Sequence, residues 1–103
     1  MLNLTLITVG TLKENYLREA VAEYEKRLQA YCRLQTVNLR ESRLSDSPSP
    51  GEIAAALSAE GKQILAAMPP RAYRVALCVE GKQLSSEELA ERLEQIGQTH
   101  GSA

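Results

Sequence analysis

Phenylalanine and tryptophan are missing altogether, and four tyrosines are the only aromatic residues in the 103-residue chain. Any core must therefore be aliphatic, made of Leu, Ile, Val and Ala. Histidine occurs once, as His100, and cysteine twice, as Cys32 and Cys78, with no CxxC motif and no Cys/His cluster. That argues against a disulfide framework and against a metal site, and both cysteines read as buried thiols in a reducing compartment. No apolar run approaches the ~18 residues of a membrane span, and the start MLNLTLITVG carries no positive n-region. A membrane partner is not expected, and the expected location is cytoplasmic. An excess of one charge is missing too, since the net charge is −1. Residues 1–43 hold seven basic and five acidic side chains, and residues 44–103 five and eight. Neither half has the basic footprint that holds free nucleic acid by neutralising phosphates. An RNA partner would have to be recognised by shape or as part of a preassembled particle.

What the chain does have is alternation. Leu2 to Val9 is an apolar β-rich run closed by Gly10, apolar in both phases, as expected of a strand covered on both faces. Leu17, Ala20, Val21, Tyr24, Leu28 and Tyr31 then fall on one helical face, from about Asn15 onward. Leu34 to Leu39 reads as a shorter edge strand. Ser42 to Gly51 (SRLSDSPSPG) reads as a mobile surface loop. A second helix is predicted from about Glu52 to Ala67, stopped by Pro69-Pro70. Gly61 falls on its apolar arc, where close packing against a neighbouring backbone is expected. Tyr73 to Val79 (YRVALCV) is predicted as a third, central strand. Ser85 and Glu88 form a capping box that opens a third helix, ending at Gly97. The order βαβαβα predicts an α/β fold with a parallel sheet and helices on both faces. Residues 1–97 are expected to form one domain, with 98–103 as a tail that includes His100.

In such a sheet the strand C-terminal ends share an edge, where ligands bind. That edge would carry Gly10–Lys13, Arg40–Arg43 and Glu80–Leu84. Neither GxGxxG nor a Walker lysine follows the first strand, which disfavours dinucleotide and nucleoside triphosphate binding. Glu80 has the chemistry of a general base and Lys82 that of an anion contact, yet Glu80-Gly81-Lys82 also reads as a solvated turn whose glycine supplies a positive φ. Tyr16, Tyr24 and Tyr31 recur along the first helix and could stack bases, but core or interface filling is the favoured reading. Ser85 and Ser86 have no partner histidine and are caps rather than nucleophiles. Residue chemistry alone leads to a parallel α/β domain with a possible ligand edge.

Three segments carry a resemblance. TVGTLKENYLREAVAEYEKRL (Thr8 to Leu28), AEGKQIL (Ala59 to Leu65) and ALCVEGKQLSSEELA (Ala76 to Ala90) are similar to the RlmH family of SPOUT-class methyltransferases. The likeness runs in the family's order to about Gly97. It implies transfer of a methyl group from S-adenosylmethionine to N3 of a pseudouridine in large-subunit ribosomal RNA, by a cytoplasmic homodimer acting on the assembled ribosome. It assigns Leu77 and Gly81 to the cofactor pocket, and Lys13 to RNA contact. Thr11 departs from the family's usual lysine beside that position. No catalytic residue and no metal ligand is assigned within these residues. The resemblance further implies a C-terminal knot segment beyond this sequence, whose Gly-Gly strand lies between the first and third strands. The 103 residues alone are therefore expected to be inactive and to bind S-adenosylmethionine weakly or not at all. Two other functions compete: a non-catalytic α/β module that associates with itself or another protein, and a flavodoxin-like nucleotide binder.

Overall fold

The structure, a computed structural model, describes residues 2–103. Strand β1 (Leu2–Val9) and strand β2 (Cys32–Leu39) pair in parallel, in register from Leu2 opposite Cys32 to Val9 opposite Leu39. Helix α1 (Asn15–Leu28) connects them, as a parallel crossover requires. Helices α2 (Pro50–Ala67) and α3 (Ser86–Thr99) follow. The expected α/β class, with parallel strands and three helices, is what the chain adopts.

Local chemistry sets the boundaries. Gly10 takes φ +90°, a backbone conformation in which a Cβ is strained, and its N–H bonds the Leu39 carbonyl at 2.8 Å. This turns the chain out of β1 while keeping it tied to the end of β2. The Arg18 guanidinium donates to the Leu12 carbonyl, fastening the β1–α1 loop to the first turn of α1. Lys26 and Arg27 sit in the last turn of α1, where cations complement the helix dipole. The Ser49 hydroxyl accepts from the Glu52 N–H at 3.2 Å and caps α2, so Pro50 and Gly51 belong to the helix rather than to the preceding loop. The loop is also held from outside, since the Ser42 N–H donates to the Glu60 carboxylate at 2.9 Å. Ser85 and Glu88 form the expected capping box of α3.

The largest correction concerns the third strand. Tyr73 to Val79 pairs with no strand: residues 72–78 carry no regular structure, and Val79 and Glu80 lie in a turn. Its side chains are out in solvent, with Val75 56%, Leu77 86% and Val79 101% exposed. A strand needs a neighbour to accept its N–H groups, and among the described residues the segment meets one only at its start. The C-terminal residues show where one would go. Asn3 and Thr5 of β1 donate to the carbonyls of Gly101 and Ala103, at 3.1 and 2.8 Å, and the Ala103 N–H returns a bond to the Asn3 carbonyl at 2.9 Å. On its other side the Ser102 carbonyl accepts from the Tyr73 N–H at 3.0 Å. Gly101–Ala103 thus lies parallel to β1, bridged to it at Asn3–Ser102, between β1 and the start of the Tyr73 segment. The expected tail is tied in, and α3 runs through Gly97 to Thr99. His100 meets the Tyr73 ring edge-on, with centroids 5.1 Å apart.

The helices lie on the strands without sealing them. Glu25 of α1 accepts from the Thr36 hydroxyl at 3.3 Å, Gly97 of α3 lies against Leu2, and α2 packs against both strands. Among the described residues only Cys32 and Ile96 are buried apolar side chains. Cys78, expected to be a buried thiol, is exposed. Gly61 has no atom within 4 Å of where its Cβ would sit, so it is not the close-packing glycine that its place on the helix suggests.

Candidate functional site

The sheet edge at the C-terminal ends of β1 and β2 carries an open groove of about 820 Å³ beneath α1. One wall is apolar, built from Leu6, Val9, Leu12 and Val21. The floor is polar because both strands place hydrogen-bonding residues in the same phase. The Thr8 hydroxyl donates to the Asn38 amide oxygen at 2.6 Å, directly across the register, and Thr36 is tied to Glu25 as above. Lys13, Arg18 and Glu41 also line it. The groove offers hydroxyl, amide and carboxylate groups, with the cations Lys13 and Arg18 balanced by Glu25 and Glu41, a set that suits a polar ligand. Sequence reasoning placed Lys13 on this edge but missed the floor. The available signal was the polar interruption of each strand near its C-terminal end, Thr8 in β1 and Thr36 and Asn38 in β2.

Leu77 and Gly81 lie elsewhere. Neither lines this groove or the smaller one of about 350 Å³ beside α3. They sit on the unpaired segment and its turn, where the Gly81 N–H bonds the Cys78 carbonyl at 3.0 Å. A Cβ on Gly81 would stand 3.0 Å from that same carbonyl oxygen, so the glycine is needed for room and not, as its turn position suggests, for a positive φ. Glu80 and Lys82 are exposed in the same turn. The structure does not gather Lys13, Leu77 and Gly81 into one pocket. An 86%-exposed leucine beside an exposed turn is an open surface.

The tyrosines are not core residues. Tyr16, Tyr24 and Tyr31 are all exposed, because Arg18, Val21, Ala22 and Glu25 are the α1 residues turned toward the groove.

Comparison with known proteins fits this reading of the fold. A family model described as a predicted SPOUT methyltransferase matches residues 2–103. A protein of Ligilactobacillus salivarius named ribosomal RNA large subunit methyltransferase H is 41% identical over 102 residues, covering 99% of this chain and 64% of the relative. A protein of the same name from Bifidobacterium adolescentis is also 41% identical over 102 residues, with the same coverage. One from Streptococcus thermophilus is 46% identical over 90 residues, covering 87% of this chain and 57% of the relative. The chain spans less than two thirds of the length of these relatives. By the family match along nearly its whole length, and by these identities, the chain belongs to the SPOUT methyltransferase family.

Proposed function

We propose that this chain supplies the front part of an S-adenosylmethionine-dependent methyltransferase that modifies a pseudouridine of large-subunit ribosomal RNA, and that it does not perform the reaction alone. The observation that carries this is 41% identity over 99% of the chain to a protein named for that class of RNA substrate. The modest net charge of −1 supports a target presented on an assembled particle, where shape supplements phosphate neutralisation. In this reading Lys13, exposed along the groove, contacts the RNA backbone as a point charge. Leu77 and Gly81 give one wall of the cofactor site, an apolar side chain beside a turn that backbone can approach closely. As they stand they do not hold the cofactor, so no step of the transfer is assigned to them. The homodimer implied by the resemblance belongs to the same proposal.

The test compares two proteins: the 103-residue chain, and the same chain joined to the C-terminal third of the L. salivarius relative. Each is incubated with radiolabelled S-adenosylmethionine and ribosomes lacking the modification. Label is expected in large-subunit RNA with the joined protein and absent with the 103 residues. In the joined protein, Lys13→Ala should lower kcat/KM by about tenfold, the scale of one lost charged contact. A folded, cofactor-binding joined protein that transfers no label would overturn the reading, and so would transfer by the 103 residues alone.

A further inference from the structure

The loop that follows β2 is tied down on both sides of a tip that it leaves in solvent. The Ser42 N–H donates to the Glu60 carboxylate of α2 at 2.9 Å, and the Ser42 hydroxyl reaches the Ala56 carbonyl at 3.5 Å. Three residues on, the Ser45 hydroxyl donates to the Glu52 carboxylate at 3.0 Å, and Ser49 caps the same helix. Between the two anchors stand Arg43 and Leu44, both exposed. An exposed leucine alone means little. Here irregular backbone is ordered at an entropic cost, and the residues between the anchors gain no burial in return. The tip also has a particular place. It stands at the strand C-terminal edge, where the Gly10 N–H bonds the Leu39 carbonyl and a Glu41 carboxylate oxygen comes 3.7 Å from where a Gly10 Cβ would sit. The loop carrying Lys13 and the loop carrying Arg40 and Arg43 therefore leave the sheet side by side. None of these three cations is in an ion pair among the described residues, and all three are exposed. This corner lies on the β2 side of β1, away from Gly101–Ala103, and is built from residues 8–60 without them.

We propose that Arg40 and the Arg43–Leu44 tip form a second RNA contact, holding the backbone of ribosomal RNA beside the Lys13 contact. The proposal rests on the RNA-modifying reading above. Each guanidinium presents a planar fork that can pair two phosphate oxygens at once, which a point charge such as Lys13 does not do. Leu44 supplies an apolar surface for the adjoining sugar. Phosphate contacts of this kind set the register of a nucleic acid without reading its sequence. They would position the RNA over the edge where open α/β sheets bind ligands. Bulk attraction is not what holds the RNA here, because Glu14, Glu41 and Asp46 stand against Lys13, Arg18, Arg40 and Arg43. What counts is placement, and Glu60 and Glu52 supply it by holding the two anchors. A consequence of unusual sign follows for Glu60. If RNA were held by net charge alone, removing this acid would strengthen binding, whereas loss of the tether weakens it.

Co-sedimentation of the chain with large ribosomal subunits lacking the modification, between about 50 and 200 mM salt, gives Kd and its salt dependence. Arg40→Ala combined with Arg43→Ala should raise Kd about tenfold at the lower salt. It should also flatten the slope of log K against log salt by about 1.4, two phosphate contacts at ~0.7 each on a single strand. Glu60→Ala should raise Kd roughly threefold although it removes an acid, while Glu60→Gln, which still accepts from Ser42, should stay near the parent. Arg33→Ala, exposed at the opposite end of β2, should leave Kd unchanged. Circular dichroism confirms that each variant keeps the parent fold. A parent chain that does not bind the particles would overturn the proposal. So would a double variant that binds as tightly as the parent, one that loses affinity with the salt slope unchanged, or a Glu60→Ala that binds more tightly. Methyl transfer by the joined protein is scored separately. Label transfer together with arginine variants that still bind removes the tip and leaves the enzymatic reading, whereas lost binding in those variants without label transfer does the reverse.

Discussion

Three glycines show how differently one residue type can be used. Gly10 is fixed by conformation: its φ of +90° is one that L side chains rarely adopt, while the nearest atom to a new Cβ, a Glu41 carboxylate oxygen at 3.7 Å, is at ordinary contact distance. Gly81 is fixed by space, with a carbonyl oxygen 3.0 Å from its missing Cβ. Gly61 is fixed by neither. It lies inside α2 with nothing within 4 Å of a new methyl group, so only its helix propensity counts. Gly61→Ala should therefore stabilise the chain by about 0.8–1 kcal/mol, whereas Gly10→Ala should destabilise it by roughly 1–2 kcal/mol through the left-handed backbone penalty. Urea denaturation of the two variants beside the parent checks both signs. A destabilised Gly61→Ala would mean that α2 meets another backbone in solution.

At the scale of elements, strength follows the caps. Helix α3 opens with a reciprocal pair, the Ser85 hydroxyl accepting from the Glu88 N–H at 3.1 Å and the Glu88 carboxylate accepting from the Ser85 N–H at 3.3 Å. It has little other anchorage, with Ile96 its one buried residue and Leu2 touching Gly97. Ser85→Ala should cost about 0.5–2 kcal/mol and appear first as fraying of residues 86–89, visible as faster amide exchange there than at Ile96. These elements were legible in the sequence because their determinants are local. Serine–glutamate spacing, a Pro-Pro stop and the apolar β1 run each act within a few residues. Tyr73–Val79 was not legible in the same way. Its composition is that of a central strand, but a strand is completed by its neighbours, and composition does not say whether the neighbour is present. The site divides along the same line. Lys13 could be placed on the strand edge from order alone, whereas the Thr8–Asn38 pairing depends on the register between strands 30 residues apart. Of the two readings of the tyrosines, core and interface filling, the structure removes the core one: spacing put them with Leu17, Val21 and Leu28, while packing turned a neighbouring arc of α1 toward the groove.

The whole molecule is more open than a folded chain of its mass. A compact monomer of this size exposes about 5,700 Å², by the usual scaling of surface with mass. This chain exposes 8655 Å². Its radius of gyration is 15.9 Å, against about 12.8 Å for a compact domain of the same length. The excess, roughly 3,000 Å² on that scaling, is larger than the ~800 Å² that each partner contributes to a standard interface. The denaturant slope m scales with the surface exposed on unfolding. An extended chain of this mass exposes about 16,400 Å², so folding to the present form hides about 7,700 Å² where a compact fold would hide about 10,700 Å². In dilute solution m should accordingly be about 30% below that of compact domains of equal length. Urea melts of the chain in dilute solution, set beside those of compact domains of equal length, measure that slope. A full-sized m would show that the chain closes on itself in solution, hiding the apolar surface of Tyr73–Val79.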